Sequence, residues 1–167
     1  GGFQSAGQTV FNNTSNAGGA SIVNGGSIYG AAGGQTIFND TSTADHASIT
    51  NDGAGASSNP GNPGQTTFND RSTAGHATII NRGTPGDGGS GTTIFTGSST
   101  ADNATIIASG GYYRGGGIVF NGASTGGNAR VKVFDNGHLD ITNHQSGLTI
   151  GSIEGSGNVF LGANRLT

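Results

Sequence analysis

The amino-acid sequence predicts an all-β fold, a single-stranded parallel β-helix or β-solenoid with about 25–30 residues per coil. Three observations carry that prediction. Gly fills 35 of 167 positions and only 31% of residues are hydrophobic, too little apolar material for a thick globular core. A single Glu, a single Lys and four Leu leave helices without the residues that usually build them. A Phe-headed motif returns five times, and its matching positions lie two residues apart, which is the period of a strand.

The copies begin at Phe11, Phe38, Phe68, Phe95 and Phe120, spaced by 27, 30, 27 and 25 residues. They read FNNTSNAGGASIVN, FNDTSTADHASITN, FNDRSTAGHATIIN, FTGSSTADNATIIA and FNGASTGGNARVKV. Four positions after the Phe stands Ser15, Ser42, Ser72, Ser99 or Ser124, and nine after it Ala20, Ala47, Ala77, Ala104 or Ala129. Eleven after it comes Ile22, Ile49, Ile79, Ile106 or Val131, and two before it Thr9, Thr36, Thr66, Thr93 or Ile118. Side chains alternate along a strand, so the Thr or Ile and the Phe share one face of a first short strand. By the same parity Ala20, Ile22 and Asn24, or Ala77, Ile79 and Asn81, share one face of a second. Between them N-x-x-S-T-A-x is short and polar and suits a corner, because such side chains bond nearby backbone. The rest of each unit, such as GGSIYGAAGGQ or GTPGDGGSG, varies in length and holds Pro60, Pro63 and Pro85. These stretches are expected to be surface excursions on one side, with or without a brief third strand, and a unit of 25 to 30 residues matches one coil with three sides.

A unit this small buries its apolar face only by stacking on its neighbours, Phe on Phe and Ile on Ile. Each coil adds about 4.8 Å, so the chain predicts a rod on the order of 30 to 35 Å long. Asn at an inward position forms a ladder with the Asn above and below, and Gly serves turns that need positive φ. Beyond Val131 the alternation tightens in VKVF, HLDIT, GLTI and NVFLG, separated by DNG, NHQSG and EGSG turns. One solenoid domain over 1–167 follows, with five Phe-centred repeats in 1–133 and shorter-armed terminal coils in 134–167. Neither end shows a helical or Pro-rich cap, so the chain is expected to be a fragment of a longer protein or to stack on a neighbour.

A formal charge of −3 with scattered Arg gives no electrostatic footprint for nucleic acid. Zero Cys removes disulfide frameworks, zinc clusters built on Cys and thiol catalysis. No run approaches the roughly 18 apolar residues of a membrane span, so this segment is expected not to span one. The sequence begins at Gly1 without a basic and apolar leader, so an export signal is expected to be removed or to lie outside it.

The repeats FNDTSTADHASITN and FNDRSTAGHATIIN, with the closing GSIEGSGNVFLGANRLT, resemble passenger regions of bacterial autotransporters that carry autotransporter-associated β-strand repeats. The likeness runs from about Thr9 to Thr167. It implies a right-handed β-helix that is secreted or displayed at the cell surface, exported by a C-terminal β-barrel that is not in this sequence. Members of that family include adhesins, biofilm components and proteases.

No catalytic, cofactor-binding or metal site is assigned from the residues, and no cofactor is expected. His46 and His76 share one repeat position in consecutive coils and should stack within about 5 Å, the spacing at which two imidazoles could share a metal. At an outward corner any polar residue is also acceptable, as Gly19, Asn103 and Asn128 at the same position indicate. Asp40, Asp45, Asp70 and Asp102 are read as hydrated turn residues, since the calcium-binding G-G-x-G-x-D repeat is represented only by a GDGGSG fragment at Asp87. Arg130, Lys132, Asp135, Asp140, His138 and His144 cluster in the tail, with a spacing that suits neighbouring strands of one face. Tyr29, Tyr112 and Tyr113 fall in the excursions, where they could meet glycans or a partner. A regular Thr array of the ice-binding kind is not expected, because the Thr positions alternate with Phe. The expected role is an extracellular structural solenoid: a stalk, adhesin or matrix component of a bacterium. Its partners would be glycans, a host or cell surface, or a second copy joined end to end. The alternatives are a self-assembling filament subunit and a carbohydrate-active β-helix enzyme using the tail cluster.

Overall fold

The computed structural model describes residues 5–55 and 61–167; Pro60 lies outside the described residues. In chain order the first strands are β1 (Gln8–Phe11), β2 (Ser21–Asn24), β3 (Gln35–Phe38), β4 (Ser48–Asn51), β5 (Gln65–Phe68) and β6 (Thr78–Asn81). They are followed by β7 (Thr92–Phe95), β8 (Thr105–Ala108), β9 (Gly117–Phe120), β10 (Arg130–Val133), β11 (His138–Asp140), β12 (Ser152–Gly155) and β13 (Asn158–Phe160). Odd-numbered strands form one parallel sheet in the order β1-β3-β5-β7-β9-β11-β13, and even-numbered strands a second in the order β12-β10-β8-β6-β4-β2. The fold is a β-solenoid, all-β, with no helix among the described residues.

Register follows the sequence repeat residue for residue. Phe38 pairs with Phe11 and Phe68, Phe95 with Phe68 and Phe120. Ile49 pairs with Ile22 and Ile79, and Ile106 with Ile79 and Val131. The five Phe rings stack in one column with centroids 4.6, 4.7, 4.8 and 4.6 Å apart and planes within 9° of parallel. Strand spacing sets that distance, and each ring contact adds about 0.5–1.5 kcal/mol beyond burial. Phe38, Phe68, Phe95 and Phe120 are fully buried, as are Ile49, Ile79 and Ile106 on the facing sheet. The interior stays narrow because Ala47, Ala77, Ala104 and Ala129 occupy the remaining inward position of each coil.

The stretch expected to be only a corner is also the third side of the coil. Asn16, Thr43, Thr73, Thr100 and Thr125 form a parallel series of single bridges. On either side of the three central bridge residues a small side chain turns inward: Ser42 and Ala44, Ser72 and Ala74, Ser99 and Ala101 are all buried. Two left-handed residues bend each coil there, one just after the odd strand and one before the even strand. Asn13, Asp40, Asp70, Gly97 and Gly122 take the first, with φ from 54 to 68°. Gly18, Asp45, Gly75, Asp102 and Gly127 take the second, with φ from 51 to 59°. Only Asn, Asp and Gly appear, the residues that tolerate this conformation at least cost.

Thr36, Thr66 and Thr93, each two before its Phe, face inward, where they serve a buried polar ladder. Asn24 donates Nδ2 to Asn51 Oδ1 at 2.8 Å, and Asn51 to Asn81 at 2.7 Å. Thr36, Thr66 and Thr93 donate their hydroxyls to Asn24, Asn51 and Asn81 respectively, each at 2.8 Å. An outer ladder runs along the opposite edge, Asn69 to Asn39 and Asn39 to Asn12, both 2.8 Å.

The tail corrects two sequence readings. GLTI forms no strand: Leu148 makes a single bridge with Leu166 on the third side. SIEG, whose last residues were read as a turn, is β12, because Ile153 continues the Ile and Val row by pairing with Val131. The excursions are also less superficial than expected. Ala54 and Thr84 are fully buried, and the Thr84 hydroxyl donates to Ala54 O at 2.6 Å, so successive excursions pack on each other.

Candidate functional site

Three surfaces carry the polar side chains singled out by sequence. The first is the corner between the third side and the even sheet. His46 and His76 stack there with ring centroids 5.1 Å apart and planes 6° from parallel. His46 Nδ1 lies 2.6 Å from Asp45 Oδ1, and a carboxylate only accepts, so Nδ1 carries the proton and the Nε2 lone pair is free. The other Asp45 oxygen accepts from Asn16 Nδ2 at 3.2 Å. Asp45 backbone O accepts the His76 N–H at 2.7 Å, so one residue positions both histidines.

The Asp residues read as hydrated turn positions are staples between coils. Asp40 Oδ2 accepts the Asn13 N–H at 2.7 Å, and Asp70 Oδ2 accepts the Asp40 N–H at 3.0 Å. Asp102 accepts from the Thr73 hydroxyl of the preceding coil at 3.5 Å and from its own neighbour Asn103 Nδ2 at 2.8 Å. At the first left-handed corner the N–H of Asn13 or Asp40 faces the next coil and the carboxylate there accepts it, whereas at the second the N–H of Asp45, Gly75 or Asp102 bonds the Thr hydroxyl two residues earlier in its own coil. Among the described residues no three His, Asp or Glu side chains converge as a metal site.

The second surface is the excursion side. A groove of about 430 Å³ is lined by Gly26, Gly53 and Gly83 and by the ion pair of Arg82 Nη1 with Asp52 Oδ1 at 2.9 Å. The glycine floor is obligatory: a Cβ on Gly53 would stand 2.5 Å from Gly83 O, and one on Gly83 2.5 Å from Gly110 O. Tyr112 and Tyr113 project from the next excursion along, 81% and 61% exposed, with their rings edge to face at 4.9 Å. Tyr29 is exposed on an earlier excursion. Asn136 holds the Tyr112–Tyr113 loop by donating to Gly111 O and accepting the Gly111 N–H, both at 2.9 Å.

The third surface is the tail, where the six-residue cluster expected on one face is divided between the two sheets, the turn that joins β10 to β11 and the third side. Arg130 and Lys132 point outward from β10, while His138 and Asp140 lie on β11 in the other sheet. The reason is register, since β11 continues the odd strands and β10 the even ones. Arg130 and Lys132 both bond Glu154 Oε1 of β12, at 2.8 and 2.9 Å, and these bonds hold the Glu154 carboxyl below its usual range, Lys132 most of all. Asp140 accepts from Thr142 N and Oγ1 at 2.8 and 2.7 Å. Asp135 sits at a left-handed corner with φ 54°. His138 lies half-buried against Phe160, and burial lowers its pKa against the opposing pull of Asp140. His144 is buried with Nε2 donating to Ser124 O at 2.6 Å, beside a pocket of about 410 Å³ that Leu148 and Ser146 also line.

No protein-family model, curated protein or solved structure matches the chain. Site chemistry therefore rests on the residues themselves.

Sequence reasoning missed two signals. Glu154, the only Glu, is the partner that neutralises Arg130 and Lys132. Gly7, Gly34, Gly64, Gly91 and Gly116 all stand four before the motif Phe, a regularity visible in the alignment of the copies. In the stacked coils a Cβ on Gly64 or Gly91 would fall 1.9 Å from Asn24 O or Asn51 O.

Proposed function

We propose that the chain is an extracellular structural β-solenoid, a stalk, adhesin or matrix component of a bacterium that holds contact loops away from a surface. The observation that carries this reading is the division of labour around the coil. Three sides are in strict register from Phe11 to Phe120, with a buried aromatic column. The fourth is a set of excursions of unequal length that carry the groove and the exposed Tyr pair. A rod held by axial hydrogen bonds tolerates changes in such loops without changing its frame. The resemblance of the repeats to autotransporter passenger regions supports the extracellular address. The carbohydrate-active alternative is the less favoured reading, because Arg130 and Lys132 of the tail cluster lie on one sheet and His138 and Asp140 on the other.

Immunogold labelling of intact cells of the producing bacterium tests the address: label on the outer surface is expected, and label only after permeabilisation overturns it. Attachment tests the loops. Tyr112→Ser with Tyr113→Ser should reduce adhesion of cells displaying the chain while leaving its unfolding midpoint unchanged, and full adhesion would remove these residues from the role.

A further inference from the structure

We infer that His46 and His76 form a two-histidine site for a borderline divalent transition cation, of which Cu2+, Ni2+ and Zn2+ are the chemical class. Both rings are exposed at the corner, parallel and 5.1 Å apart. Imidazole nitrogen suits these ions, and a neutral ring must offer its lone pair outward. Asp45 arranges this for His46. Its carboxylate accepts the Nδ1–H hydrogen bond at 2.6 Å and is itself held by Asn16 Nδ2 at 3.2 Å, leaving Nε2 as the ligand atom. A carboxylate behind the distal nitrogen is the usual second contact of a metal-binding histidine.

His76 has Gly75 where His46 has Asp45, so the equivalent carboxylate is missing and its ring is the one that turns. The turn is required, because metal–nitrogen bonds of about 2.0–2.1 Å need the two ligand atoms within about 4.2 Å of each other. Space is available on the His46 side, where Gly19 fills the same repeat position, and solvent supplies the remaining ligands. On the other side Asn103 is engaged with Asp102 at 2.8 Å, so the column of ring nitrogens ends at two. The site belongs to the frame and not to the contact loops, and it would let a cation cross-link or stiffen neighbouring coils.

Calorimetric titration of the chelator-treated chain with Ni2+ and with Cu2+ at pH 7.5 tests the proposal. One ion per chain is expected. His46→Asn and His76→Asn, each a residue the same position already holds in later coils, should lower affinity at least tenfold with the unfolding midpoint unchanged. Asp45→Gly, which copies the neighbouring coils and suits the positive φ, should lower it roughly tenfold by releasing the His46 tautomer. Equal affinity in either histidine variant, or absence of saturable binding at millimolar metal, overturns the two-histidine site. Unchanged affinity in Asp45→Gly overturns the role given to the carboxylate.

Discussion

Asn81 pairs in register with Ala108, and that meeting ends the buried amide ladder: Asn81 Oδ1 accepts from Asn51 and Thr93, while its Nδ2 has no partner among the described residues. One coil on, the inward Thr is also replaced, by Ile118. The polar pair Asn81 and Thr93 thus gives way to the apolar pair Ala108 and Ile118, and the core switches from an amide ladder to aliphatic packing. An acceptor and its donor are removed together because leaving either alone buries an unsatisfied group.

The switch predicts a coupling between Asn81 and Thr93. Asn81→Ala should cost about 1–3 kcal/mol, because the Thr93 hydroxyl and Asn51 Nδ2 lose a buried acceptor. Adding Thr93→Ile should recover most of that loss, since the pair then copies Ala108 and Ile118 and moves the ladder's end to Asn51. Urea unfolding of the two single variants and the double measures the interaction; simple additivity would show that the two residues act independently.

Close packing of coils predicts opposite outcomes for two equivalent glycines. A Cβ on Gly91 would meet Asn51 O at 1.9 Å, whereas one on Gly7 meets nothing within 4 Å. Gly91→Ala should therefore cost about 3 kcal/mol, the upper end of what overpacking imposes. Gly7→Ala should stay within about 0.5 kcal/mol of the parent. Thermal unfolding of both variants decides whether approach of the coils, and not backbone freedom, fixes Gly at this position.

The frame was legible because period and parity are properties of single residues. Phe38, Ile49 and Asn51 announce their inward faces by spacing alone, and the parallel register follows from copying one coil onto the next. What the tail does was not legible, since assigning Arg130 and His138 to one face required knowing that one continues the even strands and the other the odd. The place of the third side was hidden for a different reason. Its bridges are single residues, too short for alternation to show, and its signal is the Asn, Asp or Gly at two fixed offsets, which only the left-handed φ values make meaningful. The groove of Gly26, Gly53 and Gly83 depends on contacts between loops of unequal length, and no repeat period points to it.

The aromatic column predicts a gradient along the rod. Phe68 is fully buried with rings on both sides, at 4.7 and 4.8 Å, while Phe11 is partly exposed and, among the described residues, stacks on Phe38 alone. Phe68→Ala should cost about 3–5 kcal/mol, and Phe11→Ala roughly half of that or less. Hydrogen exchange should report the first as a loss of protection in coils on either side and the second as local opening, as nearest-neighbour stacking requires. Equal losses from the two variants would mean that the column is not the source of axial cohesion.

His138 predicts how the tail responds to acid. Burial against Phe160 holds its pKa below the ordinary histidine value of 6.5, with Asp140 opposing the shift. The unfolded chain therefore takes up a proton at a higher pH than the folded one, so stability rises with pH across this interval. The contribution is fully present above about pH 6.5 and declines as pH falls from there to the lower folded-state value, below which the slope vanishes. Lys132 and Arg130 add a separate loss at lower pH, because the Glu154 carboxyl they hold in its charged form must eventually protonate. His138→Gln should flatten the first interval and leave the second, while Glu154→Gln should do the reverse. Unfolding midpoints measured from pH 7.5 to 3.5 for the parent and both variants distinguish the two steps, and a parent curve that His138→Gln leaves unchanged above pH 5 would show that this ring is not the titrating group.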